Sequence, residues 1–348
     1  MEIAVEKIDI RKLSKQELES LFVEMGEQAF RARQVYDWLW KRSAISFEQM
    51  TNLSKPLREK LAEKFAINAL EEHVVQKSND GTIKSAFKLF DGNIIEGVMI
   101  PTETRMTACV SSQVGCSLSC KFCATGFLGR KRNLEPGEIY DQVVLLNRQA
   151  LQHFNKPLSN IVFMGMGEPL LTYANVLRAI EHICSPEGLN ISYKRVTVST
   201  AGIAKMIKKL GDDGVKFNLA LSLHAANDEK RNTIMAINES NNLDALVEAL
   251  NYFYRLTGNK ITFEYILFNE FNDSLKDADE LIALCKRVPA KVNVIEYNPV
   301  EQVNMVKPPD SKRDKFVAYL EKQGVVAKVR RSRGKDIDAA CGQLANKH

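Results

Sequence analysis

The chain has 348 residues, 45% hydrophobic and 26% charged, with 48 Lys and Arg against 43 Asp and Glu for a formal charge of +5. That balance excludes a disordered chain, a collagen-like repeat and a small disulfide scaffold. The length suits one large domain with an appendage, or two domains.

Residues 1–66 read as a helical accessory domain. Ser14 and Glu17 make a capping box ahead of LESLFVEM, and RARQVYDWLWKR and SKPLREKLAEKF carry apolar residues at helical spacing. The N-terminus is charged from residue 2 and has no apolar run, so it is not expected to be a signal peptide. Residues 67–105 read as a small β-hairpin extension or linker. Its candidate strands EEHVVQKS, IKSAFKLF and NIIEGVMI are parted by Asn79-Asp80-Gly81 and Asp91-Gly92-Asn93.

From 106 to 300 strands and helices alternate. Six candidate strands (107–113, 160–167, 195–200, 217–224, 261–268 and 291–298) are separated by helical stretches. This predicts the α/β class: a parallel sheet with helices outside, curled into a full or partial barrel whose active site lies at the C-terminal strand ends. Unusual residues fall there: Cys116 onward, Gly167-Glu168-Pro169, Ser199-Thr200, Ser222-Leu223-His224 and Asn298-Pro299. Residues 301–348 form a C-terminal segment that holds the whole net charge, with eleven basic against six acidic residues. Lys328, Arg330, Arg331, Arg333 and Lys335 crowd together there, and Arg130-Lys131-Arg132 makes a second cluster. Such patches attract phosphate backbones, though either could be a solvated surface stripe. No window approaches the ~18 uncharged apolar residues of a membrane span, so a cytoplasmic protein away from the membrane is expected. In that compartment the seven cysteines suit ligands or catalysts better than bridges.

Cys116, Cys120 and Cys123 form a C-x3-C-x2-C array. Three soft thiolates on one short loop can hold a metal or an iron–sulfur cluster. A closed zinc site wants four ligands, usually in close-spaced pairs, and no second pair or nearby His completes one. A 4Fe–4S cluster on three cysteines keeps one iron open, and Phe122 is placed to shield it. A structural zinc in a non-catalytic RNA-binding protein is the competing reading.

The array after the first barrel strand resembles the radical S-adenosylmethionine (radical SAM) superfamily. VSSQVGCSLSCKFCATG, FMGMGEPL, SLHA, EYNP and IDAACGQL together resemble the RlmN family, over nearly the whole chain. A sister family that methylates adenine C8 shares most of these motifs. The resemblance implies a partial (β/α)6 radical SAM barrel and methylation of adenine C2 in 23S rRNA and in tRNA. It implies one 4Fe–4S cluster, two SAM per turnover, an electron donor such as flavodoxin, and action as a monomer.

The resemblance also assigns residues. Cys341 becomes the S-methylated carrier, although by position alone it would read as a buried structural cysteine. Cys109, seven residues before Cys116, becomes the resolving thiol through a transient disulfide with Cys341. Glu96, a carboxyl inside an apolar strand, becomes the proton acceptor; burial favours a protonated carboxyl and suits such work, unless the residue is an edge charge facing water. Gly167 would let backbone approach SAM, Glu168 would receive its ammonium, and Ser199, Ser222, Leu223, His224 and Asn298 would complete the SAM pocket. Cys184 and Cys285 read as packing, and Met164 and Met166 as core or pocket lining. RNA contacts are expected among Arg31, Arg33, Lys41, Arg42, Arg130–Arg132 and the run 328–335.

Overall fold

Capping and apolar spacing build the N-terminal unit of the computed structural model, which describes residues 7–346. Residues 1–6, on which part of the N-terminal reading falls, lie outside the described residues. Strand β1 (Ile8–Asp9) leads into α1 (Lys15–Glu24), α2 (Ala29–Trp40) and α3 (Lys55–Lys64). Strand β2 (Phe65–Ala66) then returns to pair parallel with β1 and ties the two ends of the unit together. Ser14 caps α1 by accepting from the Glu17 amide at 3.2 Å, while the Glu17 carboxylate accepts from the Ser14 amide at 2.6 Å. The expected box is therefore present. Pro56 sits in the first turn of α3, where its missing N–H costs nothing.

Next come β3 (Glu71–Lys77), β4 (Ile83–Lys88) and β5 (Ile94–Pro101), an antiparallel meander. The segment expected as a β-hairpin extension or linker is hydrogen-bonded into the main sheet, because β5 pairs antiparallel with β6 (Met106–Cys109). A ribbon of β7 (Gln113–Val114) and β8 (Arg132–Asn133) brackets the cysteine loop. Then follow α4 (Pro136–Phe154), β9 (Asn160–Phe163), α5 (Tyr173–Cys184), β10 (Val196–Thr200), α6 (Ala204–Asp212) and β11 (Asn218–Ser222). The chain continues through α7 (Asp228–Ile234), α8 (Leu243–Thr257), β12 (Ile261–Leu267), α9 (Leu275–Arg287) and β13 (Ala290–Glu296). Helix α10 (Asp310–Lys322) and strand β14 (Ala327–Arg330) end it.

One ten-stranded sheet runs in the order β14-β13-β12-β11-β10-β9-β6-β5-β4-β3. The six expected parallel strands are neighbours in chain order, and β14 adds a seventh that the 301–348 segment was not expected to hold. Every residue of β12 is buried, as a strand covered on both faces requires. Because the strands run parallel, their C-terminal ends share one rim, where the sequence placed its polar residues.

The helical unit is welded to the barrel. Arg11 donates to Asp141 of α4 at 2.8 and 2.9 Å, to Asp9 at 3.0 Å and to the Asn68 carbonyl at 2.7 Å, all in a buried seam. Trp40 stacks on His182 of α5 with ring centroids 3.6 Å apart, and Tyr140 donates to the Trp40 carbonyl at 2.7 Å. A hydrophobic core runs unbroken from Ile10 and Phe22 through the barrel to Leu320 and Leu344. Cys184 and Cys285 belong to it or pack on it, as read from the sequence.

Candidate active site

The cysteine loop is stapled before it does any chemistry. Gly115 has φ +74°, and a Cβ there would meet the Gly129 carbonyl oxygen at 1.7 Å, so only glycine lets the loop close on itself. Within it the Cys123 amide donates to the Cys120 carbonyl at 3.2 Å, and the Lys121 amide to the Ile234 carbonyl at 3.0 Å. Cys116, Cys120 and Cys123 line a common pocket with Gly167, Glu168, Ser199, Ser222 and His224. The strand-end residues expected to share one pocket are thus largely brought together. Two are not in its lining. Leu223 is packed in the core with its carbonyl accepting from Arg231 Nε at 3.1 Å. Asn298 instead donates from Nδ2 to the Cys341 carbonyl at 3.3 Å.

Each pocket residue is held for a reason. At Gly167 φ is +97°, and a Cβ would lie 2.5 Å from the Gln113 Cβ. Glu168 accepts from the Leu170 amide at 3.0 Å and the Ala201 amide at 2.8 Å; burial raises its proton affinity, and those amides oppose the rise. Ser199 and Ser222 face each other at 3.4 Å between oxygens. His224 sits at φ +56° and accepts from the Ile266 amide on Nδ1 at 3.1 Å. That bond leaves its ring proton on Nε2. Burial and then Arg231 lower its pKa to about 3, so the ring is neutral. Phe122 packs edge-on to His224 at 4.7 Å, in an apolar cluster with Phe268, Tyr297 and Met235.

The three cysteines fit a cluster by the chemistry of the donor set. They are soft sulfur donors on one loop, each half-buried. Burial pushes the Cys116 thiol up to about 11 and the Cys120 and Cys123 thiols upward as well. Three such thiolates together call for a cationic centre. Among the described residues no group of three His, Cys, Asp or Glu side chains is arranged to hold a single metal ion.

A second cavity opens beside the first. Cys109 lines it, and Cys123, Arg330 and Cys341 line both. Cys341 therefore stands at the seam between the cysteine-lined pocket and the chamber holding Cys109. Its loop is tied across the rim: the Ala124 amide donates to the Gly342 carbonyl at 2.7 Å and Thr125 Oγ1 to the Leu344 carbonyl at 2.7 Å. All seven cysteines are unbridged. Burial pushes the Cys109 thiol up to about 12, with Arg330 opposing.

Glu96 is fully buried and does not face water. Its carboxylate accepts from the Ala345 and Asn346 amides at 2.9 and 3.1 Å, and Lys84 Nζ lies 3.5 Å from the other oxygen. It is absent from the lining of both cavities, because the end of the C-terminal segment lies over it. Met166 receives the Glu96 amide on its sulfur at 3.4 Å, while Met164 lines both cavities.

Sequence reading missed three residues here. Arg231, fully buried, donates to the carbonyls of Ala201, Ser222 and Leu223 and so clamps the ends of β10 and β11. Glu264 lines the pocket and accepts from Arg330 Nη1 at 3.3 Å. Arg330 was counted with the RNA-facing run; instead it turns inward, and the negative charge of a Cys341 thiolate is the first cause that raises its own pKa. A lone charged residue in a largely apolar strand, Glu264 in ITFEYILF, was the available signal. Other expected RNA contacts are also engaged within the protein: Arg132 by Asp91 and Glu138, Arg33 by Glu19, Arg42 by Asp37 and Lys335 by Glu296.

Comparison with known proteins agrees with this geometry. Residues 8–67 match the model of the ribosomal RNA large subunit methyltransferase N-terminal domain, and residues 110–282 that of the radical SAM superfamily. The chain is 60% identical over 343 residues to a protein of Cytophaga hutchinsonii named "Probable dual-specificity RNA methyltransferase RlmN", covering 99% of this chain and 94% of that one. The chain belongs to the RlmN family. A family member of Flavobacterium psychrophilum, bearing the same name, is 57% identical with 99% of each chain covered. The crystal structure of a radical SAM methyltransferase from Sphaerobacter thermophilus superposes with a TM-score of 0.92 at 38% identity, covering 98% of this chain and all of that one. This RlmN-family chain is thus a radical SAM RNA methyltransferase, and its superfamily implies a 4Fe–4S cluster and SAM. No helix among the described residues is long and apolar enough to cross a membrane.

Proposed function

We propose that this enzyme methylates C2 of an adenine in 23S rRNA and in tRNA, using Cys341 as a methyl carrier and two SAM per turnover. One observation carries the reading: Cys341 lies where the cysteine-lined pocket meets the chamber of Cys109. Adenine C2 is flanked by two ring nitrogens and is too electron-poor to attack a methyl sulfonium. When bound, a 4Fe–4S cluster held by Cys116, Cys120 and Cys123 supplies, with SAM, the radical chemistry such a carbon needs.

The chain's own groups do the rest. Gly167, Glu168, Ser199, Ser222 and His224 orient SAM, with Leu223 held in the core between two of them and Asn298 holding the Cys341 carbonyl. The Cys341 sulfur takes the methyl and presents it to the base; that methyl would lose one hydrogen atom to the radical chemistry supplied at the site, its carbon would bond to C2, and the surplus electron would be returned as the C2 proton leaves. Glu96, once the tail residues covering it are displaced, accepts the C2 proton. Cys109, as thiolate, then attacks the Cys341 sulfur; the S–S bond forms, the S–C bond breaks, its electron pair stays with the carbon, and a proton completes the new methyl group. A one-electron donor such as flavodoxin, action as a monomer and a cytoplasmic setting complete the proposal.

Anaerobic reconstitution with labelled SAM and RNA, followed by nucleoside mass spectrometry, tests it. We expect 2-methyladenosine; a methyl at C8 refutes the C2 assignment. A colourless preparation containing zinc and no sulfide refutes the cluster.

A further inference from the structure

We infer that Arg331 and Arg333 grip the RNA phosphates on either side of the target adenine. The inference rests on the reading of the protein as an RNA methyltransferase with Cys341 as carrier. The basic run from the last residue of β14 onward splits by partner. Arg330 turns in to Glu264 at 3.3 Å, Ser332 Oγ donates to the Glu296 carbonyl at 3.4 Å, and Lys335 pairs with Glu296 at 2.7 Å. Arg331 and Arg333 have no such partner, although all four residues from 330 to 333 line the same chamber. Both are exposed, both line the chamber that holds Cys109 and Cys341, and neither has an ion pair or side-chain hydrogen bond among the described residues.

The segment carrying them is held at both ends. Before it lies the sheet. After it, the Gly334 amide donates to Asp80 at 2.9 Å, and Asp336 accepts from Ser78 Oγ at 2.5 Å and from the Asn79 amide at 3.0 Å. Two unneutralised guanidinium groups are therefore presented on a fixed stretch of backbone at the rim. Their Cα atoms stand at most about 7 Å apart, the reach of two residues, so they fall on phosphates flanking one nucleotide. An adenine that enters a pocket must leave its two phosphates at the mouth. Arginine's fork geometry binds phosphate in two-point fashion.

The test uses the full chain and a labelled RNA stem–loop with an adenine in its loop. Fluorescence anisotropy is followed across a salt series. R331Q and R333Q should each flatten the slope of log affinity against log salt by about 0.7, the value for one phosphate contact on a single strand. R132Q, whose native side chain is already paired, should leave the slope unchanged, and R331K/R333K should keep it. Slopes unchanged in R331Q and R333Q, or an equal change in R132Q, overturn the inference. Wild-type protein that binds RNA without any salt dependence overturns the functional reading itself. In the unaltered protein, RNA should shield Arg331 and Arg333 from an arginine-directed dicarbonyl reagent, read by peptide mass spectrometry. Equal labelling with and without RNA also refutes the grip, independently of any variant.

Discussion

Cys109 and Cys341 differ by environment, not by chemistry. Cys109 ends strand β6 at the wall of its chamber, where burial pushes its thiol up to about 12; Cys341 rides on a half-buried loop between two cavities. Attack by Cys109 needs its thiolate, whose fraction rises about tenfold per pH unit below the pKa. Product release in single turnover should therefore accelerate from pH 7 to pH 9; a flat profile would contradict the resolving role. Cys109→Ala should accumulate a covalent protein–RNA adduct, visible on a denaturing gel. Cys341→Ala should retain the iron–sulfur absorbance yet transfer no methyl to RNA. The family resemblance made these roles legible. The inward turn of Arg330 was not, because one basic residue in a basic run looks like the next until a strand fixes which way it faces.

Between elements, the helical unit meets the barrel through a charged seam and an aromatic one. The buried Arg11 guanidinium joins β1 to α4 through Asp9 and Asp141. Removing it strands two buried carboxylates, so Arg11→Met should cost about 3–5 kcal/mol in chemical denaturation. An unchanged midpoint would show the seam to be wet. His182 sits against Trp40 with Nε2 buried and without a hydrogen-bond partner, and burial, then Arg178, lowers its pKa to about 3. The unfolded chain takes up this proton near pH 6.5, whereas the folded one refuses it until about pH 3. Stability from this group is thus complete above pH 6.5 and declines as pH falls from there toward 3. Urea midpoints measured between pH 7 and pH 4 should drop, and His182→Phe should flatten the drop. Neither seam was visible in the sequence, since Arg11 and Asp141 are 130 residues apart.

At the scale of the whole molecule, the larger core closes without the cysteine ligands: it spans the helical unit and the barrel, while only the smaller cluster around Phe122 has Cys120 and Cys123 packed against it. Stripping iron with a chelator should leave far-UV circular dichroism and cooperative unfolding intact, while limited proteolysis begins to cut the 115–131 loop. Global unfolding on iron removal would show instead that the cluster is part of the folding energy. The same connectedness explains why the meander β3–β5 is no appendage. It carries Glu96 and Lys84, and it pairs through β5 with the strand that bears Cys109.

The sequence by itself determined the alternation of strands and helices, the cysteine array and the motifs at strand ends, because these depend on local periodicity and on residue type at short spacing. Tertiary structure alone decided how residues 301–346 behave. There one strand joins the sheet, one arginine turns to Glu264, two stay unpaired at the rim, and the tail comes to lie on Glu96. Those outcomes depend on partners 35 to 250 positions away, and no local pattern encodes contacts at that range.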